Sequence, residues 1–477
     1  MHGELAPDPR RSLPAVDRLV AAVRAQAPEL PGWAALAAAR AVLAQARSRD
    51  PDGASAPAVP SRLGGLDAAA VAGALALARS SPQRVVNATG VLLHTNLGRA
   101  RLAAGAAAAA SAAATSYSAL ELDLASGRRG DRQGAVARKL ALLAGAEAAC
   151  LVNNNAAALV LAVSALAGGR EVIVSRGELV EIGGSFRLPE MIAAAGARLV
   201  EVGTTNRTHP EDYRRAIGPE TALFLKVHRS NFALCGFTAE VGLPVLAAIA
   251  RDHALALVED LGSATFRDLR GAGLPAESDA TARLRLGADL VCFSGDKLFG
   301  GPQAGILVGR GDLVATLRRH PLARALRLDK MSLAALDWTA AALLAGDDAA
   351  IPALRQITEP IEEVARRAQA LADRIAPIAA AAGLRIAIRE SRAPIGGGSL
   401  PGFELPSWAL ALHDGPLGAA ELAARLRAAP VPGVARVTDG AVLLAARTLC
   451  DDDADAVASG LSAALAPVRP PHPEVSD

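Results

Sequence analysis

Short apolar runs alternate with helical periodicity across the central part of the chain. The runs are rich in valine, isoleucine and leucine, which is typical of strands in a mostly parallel sheet covered on both faces. Seven strands are predicted: Ala148–Val152, Glu171–Ser175, Arg198–Val202, Thr221–Val227, Leu255–Asp260, Ala288–Phe293 and Ala304–Gly309. Because ligands bind beyond the carboxyl ends of such strands, the residues that follow each run are candidates for chemistry.

The pattern changes on both sides of this region. Residues 1–80 show helical periodicity at Val16–Ala27, at about Trp33–Arg47 and at Leu66–Arg79, with a Pro/Gly/Ser/Ala-rich linker at Asp50–Arg62. The C-terminal part predicts a helix at Ile361–Ala381, strands at Leu384–Ile388 and Trp408–His413, and a helix at Ala419–Ala428. We therefore predict an N-terminal helical module (1–80), a large α/β domain (81–332), a smaller α+β domain (333–470) and a loose tail (471–477).

Composition narrows the class of protein. The 477 residues are 51% hydrophobic and carry a net charge of +2, which allows a large core and neither favours nor excludes a nucleic-acid partner. We find no apolar run of membrane-spanning length and no signal peptide. The four cysteines are far apart and form no CxxC, which favours a reducing cytoplasmic location and argues against a clustered zinc site.

Lysine is rare in this chain. Of 50 basic residues, four are lysines: Lys139, Lys226, Lys297 and Lys330. Arginine stays protonated and cannot bond covalently to an aldehyde, whereas a desolvated lysine can. Lys297 follows the sixth predicted strand and precedes a glycine-rich loop, so it is the candidate for such chemistry. The other three are interpreted as ordinary surface charges.

Two further strand ends carry polar residues. Asn153, Asn154 and Asn155 follow the first predicted strand and open a helix, where backbone N–H groups favour an anion such as a phosphate; a plain helix cap is the alternative. Asp260 closes the fifth predicted strand and needs a cationic partner. An aspartate and a lysine at strand ends, together with a phosphate site at a helix start, are the arrangement expected of a pyridoxal-phosphate enzyme.

Seven longer stretches carry a family resemblance. They are VVNATGVLLHTNLGRA (85–100), NNNAAA (153–158), SRGELVEIGGSFRLP (175–189), GTTNRTH (203–209), FSGDKLFGGPQAGILVG (293–309), HPLARALRLDKM (320–331) and GGGSLPGFELPSWAL (396–410). With them the chain resembles the bacterial selenocysteine synthases, the L-seryl-tRNA(Sec) selenium transferases, over nearly its whole length.

The resemblance implies a fold and an activity. The fold would be aspartate-aminotransferase-like (pyridoxal-phosphate fold type I). The reaction would convert seryl-tRNA(Sec) to selenocysteinyl-tRNA(Sec) with selenophosphate, by β-elimination to dehydroalanyl-tRNA and addition of selenium. Residues 1–80 would bind the tRNA, and the assembly would be a homo-oligomeric ring of dimers.

The resemblance also implies roles for single residues. Lys297 would bind the cofactor beside Asp296. The strand-end layout, independently of the resemblance, predicts that Asp260 bonds the ring nitrogen. Arg99, Arg324 and Arg327 would hold the selenium donor, the last two on one helical face, whereas Arg318 and Arg319 are expected on the solvated surface. Asn231 could either bond the cofactor's 3′-oxygen or stabilise a turn. His228 and His94 could either stack on the cofactor ring or fill the protein core.

Three departures and two alternatives remain. Ala264, Arg101 and AART (445–448) differ from the family pattern and put loop geometry and small-domain contacts in question. One alternative is a pyridoxal-phosphate lyase of the same superfamily that acts on a small amino acid or amino-sugar phosphate; such lyases generally lack the N-terminal module. The other is a tRNA-binding scaffold without catalysis, against which Lys297, Asp260 and the asparagines argue.

Overall fold

The chain forms two compact units in the computed structural model, Met1–Arg84 and Val85–Asp477. The structure describes residues 13–48, 63–182, 186–450 and 452–466. The predicted linker Asp50–Arg62 and the predicted tail 471–477 lie outside the described residues.

Three helices form the described part of the N-terminal unit. They span Val16–Gln26, Gly32–Arg47 and Leu63–Ala78. Apolar residues at helical spacing, including Leu19, Val23 and Leu43, are buried between them. A Cβ added at Gly73 would lie 3.3 Å from the Cβ of Ala38, so glycine permits the close approach of two of these helices. The three predicted helices are confirmed, the third beginning three residues earlier than expected.

A seven-stranded sheet is the centre of the larger unit. In spatial order its strands are Ala148–Val152, Gly305–Gly309, Leu290–Ser294, Ala256–Ser263, Thr221–Val227, Glu171–Ser175 and Arg198–Val202. Gly305–Gly309 runs antiparallel to both of its neighbours, and the other neighbouring pairs are parallel. The predicted mostly parallel sheet is confirmed. The strand that carries Asp260 is longer than predicted, because it continues to Ser263 across a register shift between Asp260 and Gly262.

Helices cover both faces of this sheet. They span Ala104–Thr115, Gly134–Ala144, Asn155–Ala167, Leu188–Ala194, Pro210–Ala216, Leu243–Asp252, Ala280–Arg285, Gly311–Arg319, Pro321–Ala325, Lys330–Leu344 and Pro352–Thr358. Alternate strand residues enter opposite cores, Phe224 in one and its neighbours Leu223 and Leu225 in the other. A short ribbon pairs Glu181–Ile182 with Phe186–Arg187. Among the described helices, none is both long and apolar enough to cross a membrane.

A second sheet of five strands lies toward the end of the chain. In spatial order its strands are Val86–Ala88, Gly433–Thr438, Ala441–Ala445, Glu404–His413 and Arg385–Pro394. The first pair is parallel and the other pairs are antiparallel. Its helices span Ile361–Ala381, Ala419–Arg427 and Asp453–Leu465.

The two sheets divide the chain differently from the predicted domains. Val86–Ala88, expected in the large domain, pairs with the C-terminal sheet. The predicted boundary at 332/333 falls inside the helix Lys330–Leu344, whose Leu333 and Leu336 are buried in the core of the seven-stranded sheet. Ile357 belongs to the same core. Apart from Val86 and Ala88, the described residues in the core of the second sheet therefore begin with the helix Ile361–Ala381.

Candidate active site

Lys297 lies in a buried turn after the strand Leu290–Ser294, with 5% of its surface exposed. Its Nζ donates a hydrogen bond of 2.6 Å to the carbonyl of Gly398. Gly398 lies in the loop that joins Arg385–Pro394 to Glu404–His413, two neighbouring strands of the five-stranded sheet. Gly398 has a φ of +79°, and a Cβ there would lie 2.9 Å from Nζ. Glycine is therefore required at position 398, which the sequence marked only as part of a glycine run.

The surroundings of Lys297 favour its neutral form. Burial, with a contribution from the Arg99 guanidinium, lowers the pKa of Lys297 to about 8, although the carboxylates of Asp260 and Asp296 oppose the change. A neutral amine is the form that attacks a carbonyl carbon and accepts a proton. Lys297 is thus suited to both tasks near neutral pH.

Asp260 is buried and held by several donors. Asn155 Nδ2 and the backbone N–H of Gly262 each donate to Asp260 Oδ1 at 2.8 Å. Gly262 has a φ of +63° at the register shift, which turns its N–H back toward the carboxylate. Burial raises the pKa of Asp260, while these donors, the charge of Lys297 and the Cys292 thiol act in the opposite direction.

One cavity of about 290 Å³ brings together five of the predicted residues, Lys297, Asp260, Asn154, Asn155 and Arg99. Seven more residues line it: Ala156, Val227, His228, Ser230, Gly262, Ser294 and Gln303. Sequence reasoning did not assign Ser230, Ser294 or Gln303. The available signal was position alone, since Ser230 and Ser294 lie at or just after strand ends.

The three asparagines have different partners and do not together form one phosphate site. Asn154 caps the helix Asn155–Ala167, its Oδ1 accepting from the N–H of Ala157 at 2.8 Å. Asn155 points at Asp260. Asn153 is exposed, and its N–H donates to the carbonyl of Leu326 at 2.9 Å. The structure does not bring Asn153 into the cavity, and the helix start itself provides the N–H groups for an anion.

Arg99 reaches the cavity from a turn with unusual backbone geometry. Gly98 and Arg99 have φ angles of +86° and +61°. A left-handed conformation is costly for a residue with a side chain and persists where the surrounding structure holds it. The Arg99 guanidinium pairs with the buried carboxylate of Asp296 at 3.2 Å, which fixes it beside Lys297.

Arg324 and Arg327 line a different cavity, of about 430 Å³. Its other ionisable side chains include those of Glu121, Arg129, Asp131, Arg132, Arg318, Arg319 and His320. The expected common helical face is wrong, because the helix Pro321–Ala325 ends before Arg327. Arg318 and Arg319 are exposed, as expected, although Arg318 pairs with Asp131 and both arginines line this cavity.

The remaining candidates divide between the cavity and its surroundings. The structure does not bring Asn231 into the cavity; it is exposed, and its amide donates to the carbonyl of Glu181 at 2.5 Å. His228 is half-buried and lines the cavity. His94 is half-buried and precedes the turn Thr95–Leu97.

Of the three departures from the family pattern, Ala264 and the AART segment are buried, whereas Arg101 is exposed. Ala264 is buried in the core of the seven-stranded sheet. Arg101 contacts the sulfur of Cys450. In the AART segment, Ala446 packs in the core of the second sheet, and Arg447 donates to backbone carbonyls, including that of Pro406.

A solved structure shares this architecture. The structure of D-glucosaminate-6-phosphate ammonia-lyase matches with a TM-score of 0.56 and 21% identity, over 80% of this chain and 96% of that one. At this identity the likeness shows the fold alone. The expected α/β fold with a seven-stranded, mostly parallel sheet is confirmed.

Sequence comparisons identify the family. The family model for L-seryl-tRNA selenium transferase matches residues 85–450. The L-seryl-tRNA(Sec) selenium transferase of Geobacter sulfurreducens is 50% identical over 385 residues, covering 80% of this chain and 83% of the relative. That of Moorella thermoacetica is 49% identical over 389 residues, covering 81% and 83%. This chain therefore belongs to the L-seryl-tRNA(Sec) selenium transferase family.

Proposed function

We propose that this chain converts L-seryl-tRNA(Sec) to L-selenocysteinyl-tRNA(Sec) with selenophosphate, using pyridoxal phosphate as its cofactor. The observation that carries the proposal is the buried Lys297, whose pKa is lowered to about 8, in one cavity with Asp260. A buried amine that is partly neutral near pH 7 suits the formation of a covalent bond to a cofactor.

The cavity fits pyridoxal phosphate group by group. Lys297 is the amine for the aldehyde, Asp260 is the carboxylate for the ring nitrogen, and the start of the helix Asn155–Ala167 supplies N–H groups for the phosphate. Asn155 Oδ1 and Ser230 Oγ are buried atoms at this cavity without hydrogen-bond partners among the described residues. When bound, the cofactor supplies an electron sink for negative charge at the α-carbon of the seryl group.

The residues of the chain then have distinct tasks. Lys297 is the base for the α-proton, since burial keeps a useful fraction of its amine neutral. The seryl hydroxyl takes up a proton and leaves as water, which gives dehydroalanyl-tRNA. The selenium of selenophosphate then bonds to the β-carbon while the α-carbon regains a proton, and water cleaves the P–Se bond to release phosphate. Arg99, held by Asp296, provides positive charge next to Lys297 for the anionic donor.

We assign Arg324 and Arg327 to the same donor. The carbonyl of Leu326, between them in sequence, accepts from the N–H of Asn153, whose neighbour Asn154 lines the Lys297 cavity. This contact ties the segment of the two arginines to the border of that cavity. We propose that Asn153 and Asn231 contact the cofactor from beside the cavity, because their sequence neighbours Asn154 and Ser230 line it.

The partners complete the proposal. We infer that the N-terminal unit binds the tRNA and that the chain works in the cytoplasm as a homo-oligomer, a ring of dimers. Exposed Tyr117, Leu122 and Leu124 follow the helix Ala104–Thr115 and suit burial against another copy. All four cysteines are free, as suits a reducing compartment.

Selenium transfer by the purified protein tests the proposal. Protein loaded with pyridoxal phosphate should transfer selenium from selenophosphate to seryl-tRNA(Sec) and leave seryl-tRNA(Ser) unchanged. Lys297→Arg should abolish the transfer, because arginine cannot deprotonate. Release of ammonia from an amino-sugar phosphate without tRNA would favour the lyase, and tRNA binding without turnover would favour the scaffold.

A further inference from the structure

The side chain of Asn155 has a contact that an anion site does not require. Asn154 already caps the helix Asn155–Ala167, so the Asn155 amide is not needed to begin it. Instead Asn155 Nδ2 donates to Asp260 Oδ1 at 2.8 Å. The first turn of a helix that packs on the seven-stranded sheet is a rigid base for that contact.

Two donors on one oxygen fix the whole carboxylate. The N–H of Gly262 reaches the same Oδ1 at 2.8 Å, so rotation of the Asp260 side chain would break two hydrogen bonds at once. The Asn155 amide cannot be reversed, because its Oδ1 would then face the carboxylate with two acceptors in contact. The orientation of Oδ2 is thereby set by Asn155 and Gly262 together.

The same donors act on the charge of Asp260. A buried carboxylate without donors takes up a proton, and N–H groups that bond the charged form oppose this. Asn155 and Gly262 stand in the structure as such donors, and they offset part of the effect of burial on the pKa of Asp260. The Cys292 thiol, on the neighbouring strand opposite Asp260, adds a weaker contact.

We propose that Asn155 is a positioning residue for Asp260, whose carboxylate it holds ionised and aimed so that the cofactor's ring nitrogen stays protonated. The inference rests on the proposed function, because it takes Asp260 as the partner of that nitrogen. It gives Asn155 a task separate from phosphate binding.

Nitrogen spectroscopy of the bound cofactor tests this without measuring turnover. The holoenzyme is prepared with pyridoxal phosphate carrying ¹⁵N in the ring, and the ¹⁵N chemical shift is followed against pH. In the unaltered protein the shift should report a protonated nitrogen. Asn155→Ala and the size-matched Asn155→Leu lack the donor, so the nitrogen should lose its proton about one to two pH units lower.

Two further variants separate positioning from packing. Asn155→Ser keeps an O–H donor and should stay closer to the unaltered protein than either donor-free variant. Ser164→Ala removes a hydrogen bond of 2.9 Å to the carbonyl of Ala195 from the same helix, and should leave the nitrogen signal unchanged.

The outcomes distinguish this inference from the proposed function. If the ring nitrogen of Asn155→Ala or Asn155→Leu loses its proton at the same pH as in the unaltered protein, the proposed role of Asn155 is wrong. An unprotonated nitrogen in the unaltered protein overturns the role and the assignment of Asp260 together. Failure of selenium transfer with the expected nitrogen signals counts against the proposed function alone.

Discussion

The rate at which Lys297 reacts with an aldehyde should depend on pH differently from the rate for an unperturbed lysine. Burial and the neighbouring Arg99 lower the pKa of Lys297 from 10.5 to about 8. At pH 7 an amine of pKa 8 is about one-tenth neutral, against about one part in 3,000 for an unperturbed lysine. At equal intrinsic reactivity, the structure predicts cofactor attachment about 300-fold faster than an unperturbed lysine would allow.

Rapid mixing of cofactor-free protein with pyridoxal phosphate measures this rate by absorbance. The rate should rise about tenfold per pH unit below pH 8 and level off above it, because the neutral fraction does so. Lys297→Arg should give no attachment. Lys330→Arg is the matched control, since Lys330 donates to the carbonyl of Ser116 at 2.9 Å and does not line the cavity. A rate that levels off only above about pH 10 would refute the argument from burial.

Arg99→Leu separates the two causes. Because the Arg99 guanidinium lowers the pKa of Lys297, its removal should move the midpoint of the rate profile to higher pH. Asp296 also loses its cationic partner, and its carboxylate acts in the same direction. An unchanged midpoint would show that burial alone sets the pKa of Lys297.

Three further predictions concern the donor, a glycine and the N-terminal unit. Replacing any one of the three proposed donor arginines by alanine should weaken selenophosphate binding about ten- to a hundredfold in transfer assays, whereas Arg374→Ala, which breaks an exposed pair with Asp455, should not. Equal losses at Arg374 would contradict the assignment. Gly398→Ala should reduce cofactor occupancy, because the added Cβ lies 2.9 Å from Lys297 Nζ and the φ of +79° is strained; full absorbance would count against the contact. Deletion of residues 1–84 should abolish tRNA binding and retain the cofactor absorbance, and retained tRNA affinity in a gel-shift assay would show that the unit is not the tRNA site.

The sequence predicted the central sheet because its strands are buried on both faces. Five of the seven residues of Thr221–Val227 are apolar, so this run stands out in the sequence. The strand of Asp260 was predicted too short, since the register shift at Gly262 depends on the neighbouring strand. Val86–Ala88 escaped detection because three residues, one of them asparagine, carry little pattern.

Within the site, residue type and strand position were enough to find Lys297 and Asp260. They were not enough to give each asparagine its partner, because Asn155 and Asp260 are 105 residues apart and their contact depends on how the helix packs. The sequence also did not show that Arg324 lies in a helix and Arg327 lies beyond its end. A short helix that begins at Pro321 ends after five residues, and spacing alone did not show that end.

The pairing of Val86 with Gly433 has a consequence for synthesis of the chain. The parallel partner of the first strand lies 347 residues later. At about 5–20 residues per second, the ribosome needs roughly 20–70 s to make it. During this interval the segment from Val86 to Arg99 has no strand to pair with. Gly398, whose carbonyl accepts the hydrogen bond from Lys297, is also synthesised late. The seven-stranded sheet can assemble during elongation, but the site it carries is completed only when nearly the whole polypeptide has emerged.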